Sequence, residues 1–295
     1  MKGLPETPMK DDSGLPADAV TFEEVGLTYT TARGGVQALA GITLTIPRGH
    51  FVSIVGPSGC GKSSLLMLTA GLRTCTEGRV LIDAVPVSGP QAGTGIVFQS
   101  DTLLDWRTAL DNVLVQIELR RLRKAKYQQR ALDLLRSVGL GGFEQRHPYE
   151  LSGGMRQRIA ICRALIHDPG LLLMDEPFGA LDALTRDQMM CDLQALWLEQ
   201  RKTVLFITHS IPEAIFLSDR VVVMSPRPGR IDDIIDIKLP RPRELHMTTE
   251  PDFNAYVQGI RQIFERRGVL RAEPDTAHGQ PLARPAESNE SRRLR

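Results

Sequence analysis

Residues 56–63 read GPSGCGKS and fit the pattern GxxxxGK[ST]. Glycines at these positions let backbone N–H groups converge on phosphate oxygens, and a helix starting at the lysine adds partial positive charge at its first turn. Lys62 then reaches toward the β and γ oxygens, while the Ser63 hydroxyl is a hard ligand suited to Mg²⁺. The pattern carries weight only between a strand and a helix. Both are present: HFVSIVG (50–56) is strand-like, and KSSLLMLTAGL (62–72) is helical and ended by Gly71. Strand, glycine loop and helix in that order predict an α/β fold with a parallel sheet.

The next requirement of such a site is an acidic metal partner at the end of a hydrophobic strand. LLLMDEP (171–177) supplies it, with Asp175 placed to hold Mg²⁺ through water and Glu176 as candidate general base. This pair alone says NTP hydrolase or kinase.

Outward from these motifs the pattern changes along the chain. AVTFEEVGLTY (19–29) and ALAGITLTI (38–46) alternate well enough for paired strands. Residues 108–138 place apolar side chains at three-to-four spacing and end at glycine, which predicts a helical insert. Short apolar runs return at 171–174, 203–207 and 220–224 with helices between them, the rhythm of a parallel sheet. Residues 1–19 and 272–295 are polar and breaker-rich and are expected to be disordered tails.

With 36 basic and 35 acidic side chains, the chain lacks the broad positive field of a nucleic-acid binder. Its four cysteines, Cys60, Cys75, Cys162 and Cys191, show no metal or CxxC spacing and read as buried or reduced thiols. No run approaches the ~18 apolar residues of a membrane span, and the N-terminal residues lack a signal-peptide core. The expectation is a soluble, cytoplasmic protein whose membrane role, if any, comes through a partner.

LSGGMRQR (151–158) has the look of a second anion cradle without a lysine. Ser152 is a good helix N-cap, and Gly153 and Gly154 expose N–H groups beside the N-terminus of the helix MRQRIAICRALI. One nucleotide has one γ-phosphate, so the spare cradle suits a nucleotide held by a second copy of the chain. A capped helix with a flexible glycine pair is the bland alternative.

Taken together, the ordered motifs resemble those of ATP-binding cassette (ABC) ATPases over roughly residues 20–230. GPSGCGKS and LLLMDEP resemble the two Walker motifs, LSGGMRQR the signature sequence, Gln99 in GIVFQSD the Q-loop, GALD (179–182) the D-loop, and His209 in FITHS the switch histidine. The resemblance implies a P-loop NTPase core with an antiparallel β subdomain and a helical subdomain at about 100–165, all within 20–250. A helical extension at 251–271 would follow. It implies ATP and Mg²⁺ as ligands. Tyr29 would stack on adenine; Gly56, Pro57, Ser58, Gly59, Cys60, Gly61, Lys62, Ser63 and Ser64 would cradle the phosphates; and Ser63, Gln99 and Asp175 would hold the metal. Glu176, Gln99 and His209 would serve the chemistry, and Ser152, Gly153, Gly154 and Asp182 would act across a homodimer.

Three further stretches, SDTLLDWRTALDNV (100–113), EPFGALDALTR (176–186) and EAIFLSDRVVVMSPRPGRI (213–231), resemble ATPase subunits of bacterial importers for nitrate, sulfonates and taurine. The partners so implied are a second copy, membrane permease subunits and, indirectly, a solute-binding protein, with no nucleic acid. The implied place is the cytoplasmic face of the inner membrane. Leu103, Leu104 and Trp106 then read either as a groove for a permease helix or as buried packing inside the insert. A non-transport ABC ATPase of translation or DNA repair is the runner-up. Such proteins usually fuse two cassettes or insert a long coiled coil, and this chain shows neither.

Overall fold

The computed structural model describes residues 17–31 and 34–269. The expected tail at 272–295 and most of that at 1–19 lie outside the described residues. The boundary near residue 20 moves, because β1 begins at Asp18 and pairs it with Pro47.

The first part of the chain is an antiparallel sheet of β1 (Asp18–Thr31), β2 (Gly34–Pro47), β4 (Glu77–Ile82) and β5 (Val85–Pro86), in the order β2-β1-β4-β5. Between its strands, β3 (Phe51–Val55) and α1 (Lys62–Thr69) start the second layer. This layer continues with β6 (Thr94–Val97), α2 (Ala109–Leu119), α3 (Lys124–Ser137), α4 (Gly153–Leu165), β7 (Leu171–Asp175), α5 (Ala183–Gln200), β8 (Thr203–Thr208), α6 (Ile211–Leu217), β9 (Arg220–Met224), β10 (Ile231–Asp236) and α7 (Pro251–Arg266). Its sheet runs β10-β9-β3-β8-β7-β6, parallel except for β10 at the edge.

Successive side chains of a strand point to opposite faces, and the central strands sort their residues accordingly. Val52, Ile54, Leu171, Leu173, Leu205, Ile207, Val222 and Met224 pack with Leu65, Leu66 and Leu68 of α1 and with the antiparallel sheet. Phe51, Val55, Leu172, Met174, Val204, Phe206, Val221 and Val223 pack with the helices on the other face. Because both faces are buried, these strands read as continuous apolar runs. The fold is an α/β P-loop core flanked by an antiparallel β layer and a helical layer, as the motifs implied.

The helical insert expected over 108–138 is built of two helices, α2 and α3. It breaks at residues 120–123, where Arg121 takes a left-handed φ of 55°. Thr108 caps α2 by accepting the Asp111 N–H at 3.2 Å. Of the apolar triad Leu103, Leu104 and Trp106, Leu103 packs on the core while Trp106 is 75% exposed. The two alternatives for this segment therefore divide between its residues.

Candidate nucleotide site

In an open parallel sheet, ligands sit beyond the carboxyl ends of the strands. Here β3 delivers the glycine loop, β7 delivers Asp175 and Glu176, and β8, which lies between them in the sheet, delivers His209. One cleft is lined by Tyr29, Ser58, Gly59, Gly61, Lys62, Ser63, Ser64 and Glu176, together with Val36, Ala38 and Arg227.

Gly61 is the N-cap of α1 at φ 104° and offers no side-chain cap, so the first N–H groups of the helix stay open to an anion. Lys62 is buried, and its ammonium donates to the carbonyls of Gly56 at 2.8 Å and Pro57 at 3.2 Å. It also lies 3.9 Å from Glu176 Oε1. Gly56, Pro57 and Cys60 form the floor of the loop without lining the cleft. The Cys60 thiol is buried, and that burial raises its pKa above the usual thiol value while nearby Lys62 opposes the shift.

Ser63 Oγ donates to Asp175 Oδ1 at 3.0 Å. Burial lifts the Asp175 carboxyl above the usual carboxylate range; the Ser63 bond opposes this, Glu176 adds to it and Lys62 opposes it. A hydroxyl and a carboxylate oxygen in contact suit a hard cation that takes most of its ligands from phosphate and water. No group of three or more His, Cys, Asp or Glu side chains able to hold a metal occurs among the described residues. The Ser63–Asp175 pair fits Mg²⁺ bound together with substrate.

Glu176 sits just past the end of β7 with φ 45°, a left-handed conformation that is uncommon outside glycine. Its N–H donates to the Ile207 carbonyl at 2.9 Å, which ties this turn to β8. Its Oε2 lies 3.1 Å from His209 Nδ1. Gln99 is exposed at the rim, near Gly179 and Glu176, and makes no hydrogen bond to Ser63 or Asp175. Tyr29 holds its hydroxyl 2.8 Å from Ser64 Oγ, and the Arg73 guanidinium covers one face of its ring at 4.6 Å. The sequence expectation for Tyr29 concerned a base, and neither of these two contacts was legible from motif spacing.

Ser152, Gly153, Gly154 and Asp182 do not join the cleft. Ser152 caps α4 by accepting the Met155 N–H at 3.3 Å, and Asp182 caps α5 by accepting the Thr185 N–H at 3.0 Å. The two glycines differ. A Cβ on Gly153 would meet nothing nearer than Arg156 Nη2 at 3.9 Å, whereas one on Gly154 would stand 2.5 Å from Thr185 Cγ2. Gly154 therefore lets the start of α4 pack on the start of α5, and Gly153 is left open to solvent.

Three residues that lie within the quoted motifs but were given no role there tie the Gln99 segment to α4. Arg156 donates from Nε to Asp101 Oδ2 at 2.8 Å, and Arg163 donates to the carbonyls of Asp101 and Thr102 at 2.7 and 2.8 Å. The arginines follow the helix period from Ser152, but their partner Asp101 carries no sequence signal.

Fold and cleft define a P-loop NTPase. The model of the ABC transporter family matches residues 39–179. An uncharacterized ABC transporter ATP-binding protein of Methanocaldococcus jannaschii, MJ0412, is 48% identical over 230 residues, which is 78% of this chain and 85% of that protein. The aliphatic sulfonates import ATP-binding protein SsuB of Bacillus cereus is 41% identical over 253 residues, covering 85% and 98% of the two chains. The taurine import ATP-binding protein TauB of Rhizobium johnstonii is 50% identical over 215 residues, covering 72% and 82%. A dimeric post-hydrolysis structure of the ATP-binding cassette MJ0796 bound to ADP and Pi superposes with a TM-score of 0.66 at 33% identity, over 75% of this chain and 100% of that one. The chain belongs to the ATP-binding proteins of the ABC transporter family, and it is an ATPase.

Proposed function

We propose that this ATPase powers uptake of a small anion of the sulfonate, taurine or nitrate kind. Two copies close on two Mg-ATP and drive separate permease subunits, fed by a solute-binding protein, from the cytoplasmic face of the inner membrane. The import assignment rests on the SsuB and TauB relatives. The two-copy mechanism rests on one observation above others: the chain has two helix-N-terminal cradles, and only the one at Lys62 belongs to the cleft. Ser152 and Gly153 stand exposed elsewhere, free to meet another molecule's nucleotide.

In this mechanism the glycine loop and Lys62 bind and orient the triphosphate. Ser63 and Asp175, with Gln99 at the rim, would hold the cation, which when bound would supply charge neutralisation to the triphosphate. Glu176 accepts the proton of the attacking water, and His209 holds the Glu176 carboxylate in place while steadying the γ-phosphate. Tyr29 offers the base the ring face that Arg73 leaves uncovered. Ser152, Gly153 and Asp182 complete the opposite site. Exposed Trp106, seven residues after Gln99, offers an apolar contact for a permease helix, and Arg156 and Arg163 link that segment to the Ser152 helix. Most of the rate gain is positioning and charge stabilisation.

The test is the mass of Glu176→Gln with and without Mg-ATP. A dimer that appears with Mg-ATP and is lost on adding Gly153→Trp supports the shared site. Gly153 is the position to enlarge because no neighbour within its own chain resists it. A Glu176→Gln protein that binds Mg-ATP yet stays monomeric sinks the two-copy mechanism, and Ser152 is then only a helix cap.

A further inference from the structure

The charged residue lining the cleft that the motifs do not account for is Arg227. It lies in the loop between β9 and β10, Ser225-Pro226-Arg227-Pro228-Gly229-Arg230. That loop is fastened on three sides. Ser225 N–H donates to the Arg230 carbonyl at 2.9 Å, and Ser225 Oγ accepts the Arg230 N–H at 3.0 Å, which closes its base. Gly229 N–H donates to Ala38 O at 2.8 Å and Gly229 O accepts from Ala40 N–H at 3.0 Å, which staples it to β2. Against the glycine loop it is pressed so closely that a Cβ on Gly229 would stand 2.0 Å from the Cys60 carbonyl oxygen. Prolines on both sides of Arg227 restrict the backbone that carries it.

The side chain so presented reaches over the crest of the phosphate loop. Arg227 Nε donates to the Gly59 carbonyl at 3.2 Å, and Nη2 lies 3.3 Å from where a Gly59 Cβ would be. Its remaining N–H groups make no hydrogen bond, and no carboxylate pairs with it, among the described residues. The one acidic side chain lining the cleft, Glu176, is the one beside Lys62. An exposed guanidinium held by a rigid loop, unpaired and facing a phosphate cradle, is suited to charge-assisted bonds with phosphate oxygens.

We propose that Arg227 is a second cation of the nucleotide cleft, closing its free N–H groups on a phosphate oxygen of the bound nucleotide. The phosphate chain is then gripped from the β9–β10 loop as well as from Lys62 and α1. This rests on the nucleotide cleft described above and adds to it a residue that fixes affinity.

The experiment is calorimetric titration of ADP into the full chain as wild type, Arg227→Ala and Arg227→Lys, at low and high salt. Loss of a charge-assisted bond weakens binding about tenfold or more in Arg227→Ala, with Arg227→Lys in between. The gap between wild type and Arg227→Ala narrows as salt screens the contact. Nucleotide-free melting temperatures stay together, since the side chain makes a single hydrogen bond in the folded chain. Wild-type ADP affinity in Arg227→Ala overturns the proposal. So does a loss that tracks a lowered melting temperature in both variants, which marks a loop-bracing role. Should wild type itself fail to bind ADP, the cleft assignment falls, a result distinct from either of these.

Discussion

His209 Nδ1 and Glu176 Oε2 lie 3.1 Å apart, joining the ends of two neighbouring parallel strands. The register that pairs Asp175 with Ile207 sets this distance, because Glu176 and His209 each follow their strand by one position. The contact leaves Glu176 with one oxygen toward His209 and the other 3.9 Å from Lys62, so the carboxylate is steered from both sides.

From that geometry Glu176→Gln is expected to retain nucleotide binding and to lose ~10²–10⁴-fold of turnover, the scale of a general base. His209→Ala is expected to lower kcat by about 10²-fold with nucleotide affinity changed little, because the imidazole touches the carboxylate and lies outside the cleft lining. Steady-state phosphate release, read beside ADP titration, checks both. Turnover close to wild type in Glu176→Gln removes that residue from the chemistry.

Glu213 offers a pH signature of its own. It is buried in the first turn of α6, with Thr208 Oγ1 donating to it at 2.5 Å and Arg186 Nε 3.5 Å away. Burial raises its pKa above the usual carboxylate value, and the Thr208 bond and Arg186 only partly offset this. The folded chain thus binds this proton more tightly than the unfolded chain. Its contribution is full below the unfolded pKa of about 4.3 and is lost as pH rises through the raised folded value. Glu213→Gln should therefore gain stability relative to wild type as pH rises from 5 to 8, measured as urea midpoints. Two parallel profiles would show that Arg186 fully compensates the carboxylate.

Thiol chemistry separates the cysteines. All four are free. Cys162 is fully buried, and burial pushes its thiol up to about 12, so almost no thiolate exists near neutrality. Cys60 is buried in the glycine loop and its pKa is likewise raised. Cys75 and Cys191 are half-buried, so the free thiols divide into two buried and two accessible ones, in keeping with the expectation of buried or reduced thiols. Maleimide at pH 7 should label the native protein at no more than those two sites and reach Cys60 and Cys162 after denaturation; mass spectrometry of the digest reads the positions. Rapid native labelling of Cys162 would contradict its burial.

What the sequence made legible was whatever carries a fixed spacing or period. The glycine loop, the strand-end acidic pair, the apolar strands and the helix cap at Ser152 all follow from local chemistry, and each lies where that chemistry places it. What stayed hidden was pairing at long range. Gly153 and Gly154 read alike in sequence, and only the approach of Thr185 tells them apart. Arg227 looks like one more loop arginine until the loop is seen stapled to Ala38 and pressed on Cys60. The break at Arg121 escaped because the apolar period runs straight through it.

Arg243 is the same kind of residue, and its effect is on stability. It is buried with no carboxylate in an ion pair with it among the described residues, and its Nη1 donates to the carbonyls of Ile215, Phe216 and Ser218 at 2.5, 3.0 and 2.8 Å. Those are orphan carbonyls at the end of α6, where a cation also complements the helix dipole. Its own N–H and C=O are both held at 2.8 Å by the Gln194 amide of α5. Burial depresses its pKa to about 10, yet it remains charged near neutrality. Arg243→Met keeps much of the apolar stem and strands the three carbonyls, so it should cost about 2–4 kcal/mol of unfolding free energy. Gln194→Ala should cost about 1–2 kcal/mol, and the double variant less than the sum, since both act on the same junction. Urea denaturation reads all three. A loss under about 0.5 kcal/mol for Arg243→Met would mean that water takes over the carbonyls and that α6, the helix following His209, is held by its apolar face alone.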